Sequence, residues 1–318
     1  MANINGTNFN DNNIVQFNGT EDQFFPSLEG TVGDDNIAGF NGTDILNGND
    51  GDDLLDGGLG VDDMNGGDGN DIYFVNDTDD VAAESFNDAL AGFDAVDSFA
   101  VSHTLGFGME NLNLTGGAAI NGTGNGNNNV INGNSAANTL NGGNGNDILS
   151  GQGGNDNLNG NAGNDNMMGN AGNDTLAGGA GSDALDGGSG ADTLLGLTGT
   201  DLLIGGTGFD IFRFTAIGES IVGAGHDTIA GFDGVGAALQ DRVNVNAIDA
   251  NTAVGGNQNF AFISTAAFSA AGQIRVLNSG SNTVIQGNVN GNLAADFEIL
   301  VQDGGAVAAN WVAGDFIL

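Results

Sequence analysis

The chain has 318 residues, of which 59 are glycine, and its formal net charge is −38 because 41 acidic residues face only three basic ones. A nucleic-acid-binding surface needs clustered lysine and arginine, so this composition excludes that class of partner and makes an anionic membrane surface a poor one. A compact fold with this charge repels itself, and we therefore expect cations from solution to bind it.

The first 29 residues are predicted to form a degenerate N-terminal cap, with an eroded copy of the repeat described below near Asp11. Met1 to Phe25 contain no basic segment followed by an apolar one, so no cleavable signal peptide is visible. No apolar run reaches the length of a membrane span, and disulfides are excluded because cysteine is absent. If the protein leaves the cell, we expect it to do so without a cleaved N-terminal signal.

Residues 30–74 form a first repeat block of five nonapeptides, GTVGDDNIA, GFNGTDILN, GNDGDDLLD, GGLGVDDMN and GGDGNDIYF. Positions 1 and 4 are glycine, position 6 is aspartate and position 8 is apolar. Glycine permits positive φ, so the first six residues are predicted to form a tight turn. The last three form a short strand with position 8 in a core. Two nonapeptides then complete one coil, and stacked turns place the aspartates in two lines.

Residues 75–117 interrupt the nonapeptides and are predicted to form a β-strand spacer, because their apolar residues alternate in short runs. A second block covers residues 118–212. It begins with two weaker copies that carry Asn129 and Asn138 in place of the aspartate. Eight regular copies follow, and matches at four fixed positions in every one exclude compositional bias. A disordered linker, the alternative for a Gly/Asn-rich segment, does not require an apolar residue at every position 8.

Residues 213–318 contain less glycine and more phenylalanine, with β-branched residues in short runs, which is typical of an antiparallel β domain with an ordinary core. The predicted fold class is therefore all-β. It consists of a parallel solenoid of nonapeptides in two blocks, followed by this C-terminal antiparallel β domain.

The repeats resemble the calcium-binding nonapeptides of RTX (hemolysin-type) proteins. The resemblance implies a right-handed parallel β-roll, with Ca²⁺ between turns that lie two repeats apart on the same edge. The implied ligands are the position-6 aspartates Asp35, Asp44, Asp53, Asp62, Asp71, Asp147, Asp156, Asp165, Asp174, Asp183, Asp192, Asp201 and Asp210. The gaps between them predict about nine Ca²⁺ ions, and Asn129 and Asn138 would add two more if they still contribute oxygen ligands.

Without calcium we expect the repeats to be disordered. One apolar side chain per nonapeptide buries too little surface to offset the ordering of the backbone, and unneutralised carboxylates repel one another. Metal binding and folding are then a single event.

The C-terminal region resembles the C-terminal domain of serralysin-type secreted proteases. The matching segments are HDTIAGF, DRVNVNAID, GGNQNFAFI, AAGQIRV, ADFEILV and the terminal DFIL. In that family this domain carries an uncleaved signal for type I secretion. The resemblance implies the type I secretion machinery as a partner, and a location that is secreted, extracellular or at the cell surface. The chain would be exported unfolded and fold on meeting external calcium.

Nothing in the sequence indicates an enzyme. The zinc protease motif H-E-x-x-H is absent, His103 and His226 lie far apart in the chain, and no G-x-S-x-G elbow occurs. Carboxylates are so numerous that counting does not exclude a glycosidase-like pair, although their regular spacing suits metal binding better. We expect a non-enzymatic surface, matrix or adhesion component, with self-association or a cell-surface polysaccharide as further candidate interactions. The alternatives are an accessory part of a secreted hydrolase or protease, and a host-interaction or membrane-active secreted protein.

Overall fold

The computed structural model describes residues 13–16, 28–84, 92–99, 101–233, 235, 241–303 and 308–318. The chain divides into two compact units, Met1–Ile148 and Leu149–Leu318. The described elements are β-strands and two 3₁₀ helices, which confirms the all-β prediction. No described helix is long and apolar enough to cross a membrane. Most of the predicted N-terminal cap, including the repeat copy near Asp11, lies outside the described residues.

The first unit is built from short strands that pair in parallel. The strands are β1 (Asn13–Gln16), β2 (Leu28–Glu29), β3 (Asp35–Ala38), β4 (Ile45–Asp50), β5 (Leu54–Asp56), β6 (Asp63–Asp68), β7 (Ile72–Val75), β8 (Val81–Ala82), β9 (Ala95–Phe99), β10 (His103–Thr104), β11 (Asn111–Thr115), β12 (Gly122–Thr123), β13 (Val130–Asn132) and β14 (Thr139–Asn144). Their pairing orders are β1-β3-β5-β7-β9-β11-β13, β2-β4-β6-β8 and β10-β12-β14. Consecutive strands thus alternate between two faces, as expected of a solenoid.

The second unit repeats this arrangement and adds a C-terminal extension. Strand β15 (Ile148–Ser150) contains the boundary between the units. The later elements are β16 (Asn157–Ala162), β17 (Asn166–Ala171), β18 (Thr175–Gly181), β19 (Ala184–Gly190), β20 (Thr193–Gly199), β21 (Leu202–Gly208), β22 (Ile211–Arg213), β23 (Asp227–Ala230), β24 (Arg242–Asn244), β25 (Ala261–Phe262), β26 (Gln273–Ser279), β27 (Asn282–Asn288), β28 (Phe297–Gln302), the 3₁₀ helices Ala308–Asn310 and Ala313–Asp315, and β29 (Phe316–Ile317). The pairing orders are β17-β19-β21-β23-β28-β27-β26-β25 and β16-β18-β20-β22-β24-β29.

One coil of a repeat block takes two nonapeptides, as predicted. Ile37 pairs with Leu55, and Leu55 pairs with Tyr73. In the second unit Leu185 pairs with Leu203 in the same way. Each of these position-8 side chains is at most 1% exposed, so the core is a ladder of one apolar side chain per nonapeptide.

The spacer continues the coils with variable lengths. Tyr73 pairs with Val96, and Val96 pairs with Leu112, so the apolar ladder is kept although the coil is longer than the repeat at one step and shorter at the next. The strands of the spacer therefore extend the solenoid.

The predicted antiparallel C-terminal region is present but smaller than expected. Antiparallel pairing joins β26 to β27 and β27 to β28. In contrast, β23, β24 and β29 pair in parallel with the strands before them. The reason lies in the tripeptides at 227–229 and 241–243, which repeat the aspartate-x-apolar order of positions 6 to 8 and so continue the coils.

Candidate metal centres

The turns of the repeat blocks depend on glycine at position 4 because of backbone conformation and space. Gly181 has a φ of +142°, and a Cβ built on it would lie 1.6 Å from the carbonyl oxygen of Gly163, one coil earlier. Only glycine combines this φ with so close an approach of two backbones. The stacked turns are therefore held in a single register.

Glycine at position 1 serves a different purpose from the one predicted. Positive φ occurs instead at position 2, where Asn49 adopts 80° and Leu197 adopts 71°. Gly48, at position 1, has no positive φ, but its Cβ would lie 2.1 Å from Asp53 Oδ2 and 2.5 Å from the carbonyl oxygen of Gly66. The position-1 glycine thus leaves room for two oxygens that approach the same point.

The position-6 aspartates form rows in which each is tied to the next by a backbone hydrogen bond. The N–H of Asp53 donates to Oδ1 of Asp71 at 2.7 Å, and the N–H of Asp183 donates to Oδ1 of Asp201 at 2.8 Å. The rows of the first unit are Asp35-Asp53-Asp71 and Asp44-Asp62. The rows of the second unit are Asp156-Asp174-Asp192-Asp210 and Asp165-Asp183-Asp201. We call these four sets the aspartate rows.

All the predicted ligands occupy equivalent places in the turns. Asp147 belongs to the same pattern, since its Oδ1 accepts the N–H of Asn129 at 2.8 Å. Twelve of the thirteen predicted aspartates are buried, and Asp44 is half-buried. The rows therefore place like charges inside the fold at every coil, an arrangement that needs compensation.

The second carboxylate oxygen supports a cation site directly. In the described turns Oδ2 is buried and accepts no hydrogen bond in Asp44, Asp53, Asp62, Asp71, Asp174, Asp183, Asp192, Asp201 and Asp210. A buried ionised oxygen without a donor is costly. At Gly169 the Cβ position lies 2.5 Å from Asp174 Oδ2 and 2.6 Å from the carbonyl oxygen of Gly187, one coil on. A carboxylate and a carbonyl oxygen that converge in this way are the hard ligands that Ca²⁺ takes in proteins.

The electrostatics of the rows also favour a cation. The pKa of Asp53 is raised to about 7, chiefly by burial and also by the neighbouring carboxylates of Asp71 and Asp35, against the lowering effect of the Asp35 N–H. Burial likewise raises the pKa of Asp183 to about 6. No lysine or arginine precedes Arg213 in the chain, so the charge of the repeats is not neutralised by basic side chains of their own.

Four further aspartates extend the rows, and the sequence reasoning missed them. The N–H of Asp71 donates to Oδ1 of Asp94 at 2.8 Å, and the N–H of Asp201 donates to Oδ1 of Asp227 at 2.9 Å. The complete set is Asp80, Asp94, Asp227 and Asp241. Each is followed two residues later by a buried apolar side chain, as position 6 is followed by position 8. This aspartate-x-apolar tripeptide could have identified the four residues from the sequence, although it lacks the glycines by which the nonapeptides were recognised.

The two asparagine copies satisfy their own hydrogen bonds. The side-chain amide of Asn129 donates to the carbonyl oxygen of Met109 at 3.1 Å, and that of Asn138 donates to the carbonyl oxygen of Ile120 at 2.6 Å. An N–H group thus approaches a carbonyl of the preceding coil and bridges the turns without an ion.

The two histidines belong to different units. His103 is buried in the first unit, and desolvation lowers its pKa. His226 lies in the second unit, with Nδ1 3.5 Å from Glu298 Oε1.

A family comparison agrees with this geometry. Residues 27–55, 38–73, 123–158, 159–194 and 195–213 match the family described as the RTX calcium-binding nonapeptide repeat (4 copies). The two blocks are RTX calcium-binding repeats. The matched segments of this RTX family end at residue 213, so the resemblance of the C-terminal region to serralysins is not covered by them.

Several solved structures share some similarity with this chain. The R2 subunit of the mannuronan C5-epimerase AlgE6 from Azotobacter vinelandii is 27% identical, with a TM-score of 0.36, over 50% of this chain and 91% of that one. The R3 subunit is 25% identical, with a TM-score of 0.29, over 60% and 77%. The extracellular lipase LipA from Serratia marcescens is 17% identical, with a TM-score of 0.21, over 93% and 40%. These TM-scores are too low to bear on function. No curated protein matches the chain in sequence.

Proposed function

We propose that this RTX protein is a secreted, non-enzymatic calcium-binding protein whose repeat blocks fold when Ca²⁺ fills the aspartate rows. The observation that carries the proposal is the set of buried Oδ2 atoms that accept no hydrogen bond, stacked one coil apart. About nine ions lie between the thirteen predicted aspartates in this proposal, with each ion held by carboxylate and carbonyl oxygens from two successive coils.

Calcium binding and folding are coupled because each site is made of two turns. A single nonapeptide supplies only part of a ligand set, so the disordered chain holds no preformed site. The free energy of binding is then available only to the coiled state and stabilises it. Repulsion between the buried carboxylates destabilises the coils until the ions arrive.

In this proposal the chain is exported before it folds and becomes ordered outside the cell. Extracellular calcium modules bind with dissociation constants of about 10⁻⁴ to 10⁻³ M, far weaker than cytosolic sensors. Sites of that class stay empty inside the cell and fill outside it. The resemblance of residues 213–318 to the serralysin C-terminal domain supports the type I secretion machinery as the exporter, with an uncleaved signal in that region. Outside the cell the folded coils act as a surface, matrix or adhesion component.

A calcium titration followed by far-UV circular dichroism tests the proposal. We expect the EDTA-treated chain to be largely disordered and to gain β-structure cooperatively on addition of CaCl₂, with reversal by EDTA. Equal concentrations of MgCl₂ are the control, because Mg²⁺ demands a smaller octahedral site. Light scattering on the same samples reports calcium-dependent self-association. A chain that is equally ordered in EDTA and in calcium would refute the coupling of folding to the ion.

A further inference from the structure

Three buried carboxylates meet where the first repeat block ends. Asp71, Glu84 and Asp94 each offer an oxygen within 4.8 Å of the others. Asp71 and Asp94 are fully buried, and Glu84 is 5% exposed. Asp71 is the last aspartate of the first repeat block, whereas Glu84 and Asp94 belong to the spacer and lie outside every nonapeptide.

The strand register explains how Glu84 arrives there. Position 1 of successive coils is Gly30, Gly48 and Gly66. Met64 pairs with Ala82, and the Ala83 N–H donates to the carbonyl oxygen of Met64 at 3.2 Å. Continued by two residues, this register places Glu84 opposite Gly66. A residue with a carboxylate thus occupies the place that glycine takes in the coils before it.

This replacement changes the ligand set between the turns. In the repeats, Asp53 Oδ2 shares its side of Gly48 with the carbonyl oxygen of Gly66, one coil on. Asp71 Oδ2 lies beside Gly66 in the same manner, since a Cβ on that glycine would be 1.9 Å from it. The residue one coil on is now Glu84, which adds a charged side chain to the carbonyl that a glycine would supply.

The side chain of Glu84 is held in place by hydrogen bonds. Its Oε2 accepts the N–H of Gly67 at 2.9 Å, and its Oε1 accepts the hydroxyl of Tyr73. The Tyr73 oxygen in turn accepts the N–H of Gly66 at 2.6 Å. The carboxylate is therefore oriented by the same turn that carries Asp71 rather than left free to reach solvent.

Two oxygens in the cluster have no such partner. Oδ1 of Asp71 accepts the N–H of Asp53, and Oδ1 of Asp94 accepts the N–H of Asp71. Oδ2 of Asp71 and Oδ2 of Asp94 are buried and accept no hydrogen bond. These two unpartnered oxygens, aimed into a cluster with a third fixed carboxylate, point to a bound cation.

We propose that Asp71, Glu84 and Asp94 form a Ca²⁺ site of a second type, with three carboxylates, that binds the ion more tightly than the repeat sites. The inference rests on the proposed calcium-dependent folding and adds a site whose second and third carboxylates lie outside the nonapeptides. Ligand charge sets calcium affinity among oxygen sites, so a third carboxylate increases it. This site is filled first and fixes the junction between the last repeat turn and the spacer before the weaker sites load.

Terbium luminescence tests the site, because Tyr73 is the only tyrosine of the chain and lies against Glu84. Tb³⁺ takes the place of Ca²⁺, and its emission on tyrosine excitation requires an ion close to that ring. The difference between the wild type and Tyr73→Phe isolates this signal from that of Trp311. In the wild type we expect a tyrosine-sensitised phase at the lowest Tb³⁺ concentrations, displaced by Ca²⁺.

Glu84→Gln and Glu84→Gly are the test variants, and the exposed Glu29→Gln is the matched control. Glu84→Gly restores the residue of the repeats and is expected to fold even if the glutamine variant does not. We expect half-saturation of the tyrosine-sensitised phase to rise at least about tenfold in the Glu84 variants and to stay unchanged in Glu29→Gln. If the terbium titration curve of Glu84→Gly coincides with that of the wild type, the proposed three-carboxylate site is wrong.

The same samples separate the two proposals. If circular dichroism shows calcium-dependent folding but terbium gives no tyrosine-sensitised emission at pH 7.4, the three-carboxylate site is wrong and the repeat sites stand. That result would mean that shared protons, rather than an ion, neutralise the cluster. If the chain shows no calcium-dependent folding at all, the proposed function itself fails.

Discussion

Replacement of Asp183 by asparagine should have opposite effects with and without calcium. The substituted side chain would keep the shape and an Oδ1 that accepts the N–H of Asp165, as the native carboxylate does at 2.8 Å. It would replace the unpartnered Oδ2 with an N–H₂ group that cannot bind a cation. The exposed Asp186→Asn, three residues away in the same coil, removes the same charge from a residue that belongs to no row and is the matched control.

The magnitude follows from mass action. At a calcium concentration of about 10 mM and a dissociation constant of about 10⁻⁴ M, one filled site stabilises the folded state by about 2.7 kcal/mol. Loss of one site then lowers the Tm of Asp183→Asn by about 5–10 °C for a unit of this size. In EDTA the sign reverses, because the substitution removes a buried carboxyl whose pKa is raised to about 6, chiefly by burial.

Thermal unfolding by circular dichroism in calcium, and residual ellipticity in EDTA, measure both effects. We expect Asp183→Asn to need more calcium to fold than Asp186→Asn and to be at least as ordered as the wild type in EDTA. Equal calcium midpoints for the two variants would refute the assignment of Oδ2 as a ligand. If Asp183→Asn loses as much β-structure relative to the wild type in EDTA as it does in calcium, Asp183 supports the fold through its hydrogen bond alone.

Three other predictions follow from the turns and the rows. Gly178→Ala should weaken calcium-dependent folding because its Cβ would lie 2.3 Å from Asp183 Oδ2, whereas Gly218→Ala, with no atom within 4 Å of the added carbon, should fold like the wild type in the same titration. The calcium-free chain should be more ordered at about pH 5 than at about pH 8. Burial raises the pKa of Asp94 and Asp227 to about 8, above the unfolded value of about 3.9, so folding takes up protons and the calcium-free fold loses stability as the pH rises between these values. Circular dichroism in EDTA measures this, and greater order at pH 8 would contradict it. Calcium addition at about pH 6.5 should release protons into unbuffered solution, and no release would mean that the rows are already ionised.

The periodic part of the structure could be predicted from the sequence because each nonapeptide carries its own turn, strand and core residue. Leu185 and Leu203 are buried because both occupy position 8, whose side chain points into the core. The aspartate rows followed from two nonapeptides per coil. Every repeat supplies the same ligand atoms at the same positions, so a one-dimensional pattern contains the sites that successive coils form.

The rest of the candidate site depends on register between coils of unequal length. Asp71 and Asp94 are 23 residues apart, and Asp201 and Asp227 are 26 apart, in place of the 18 of a repeat coil. A search for the glycine-rich period passes over these aspartates. Glu84 is harder still to predict, since only the pairing of β6 with β8 brings it opposite a glycine.

The role of position 1 was also beyond the sequence pattern. Glycine is required both where φ is positive and where a Cβ has no room, so the sequence alone does not show which reason applies. At Gly48 the reason is space, because a Cβ there would collide with Asp53 Oδ2 and the Gly66 carbonyl oxygen. The asparagine copies are a similar case. Asparagine and aspartate differ by one group, and the hydrogen bond of Asn129 to the Met109 carbonyl shows that this group changes the contact between successive turns.

One coil contains two nonapeptides, and this affects how the chain can gain repeats. Strands β18 and β20 share one face and β19 and β21 the other, so each nonapeptide is half a revolution. Duplication of a single nonapeptide would lengthen the second unit and rotate everything after it by half a revolution about the solenoid axis. Duplication of two would lengthen it and leave the later segments facing their original direction. An odd number of added nonapeptides therefore turns the segments that follow to the opposite side of the solenoid axis, whereas an even number does not. The contacts between neighbouring turns are the same in both cases.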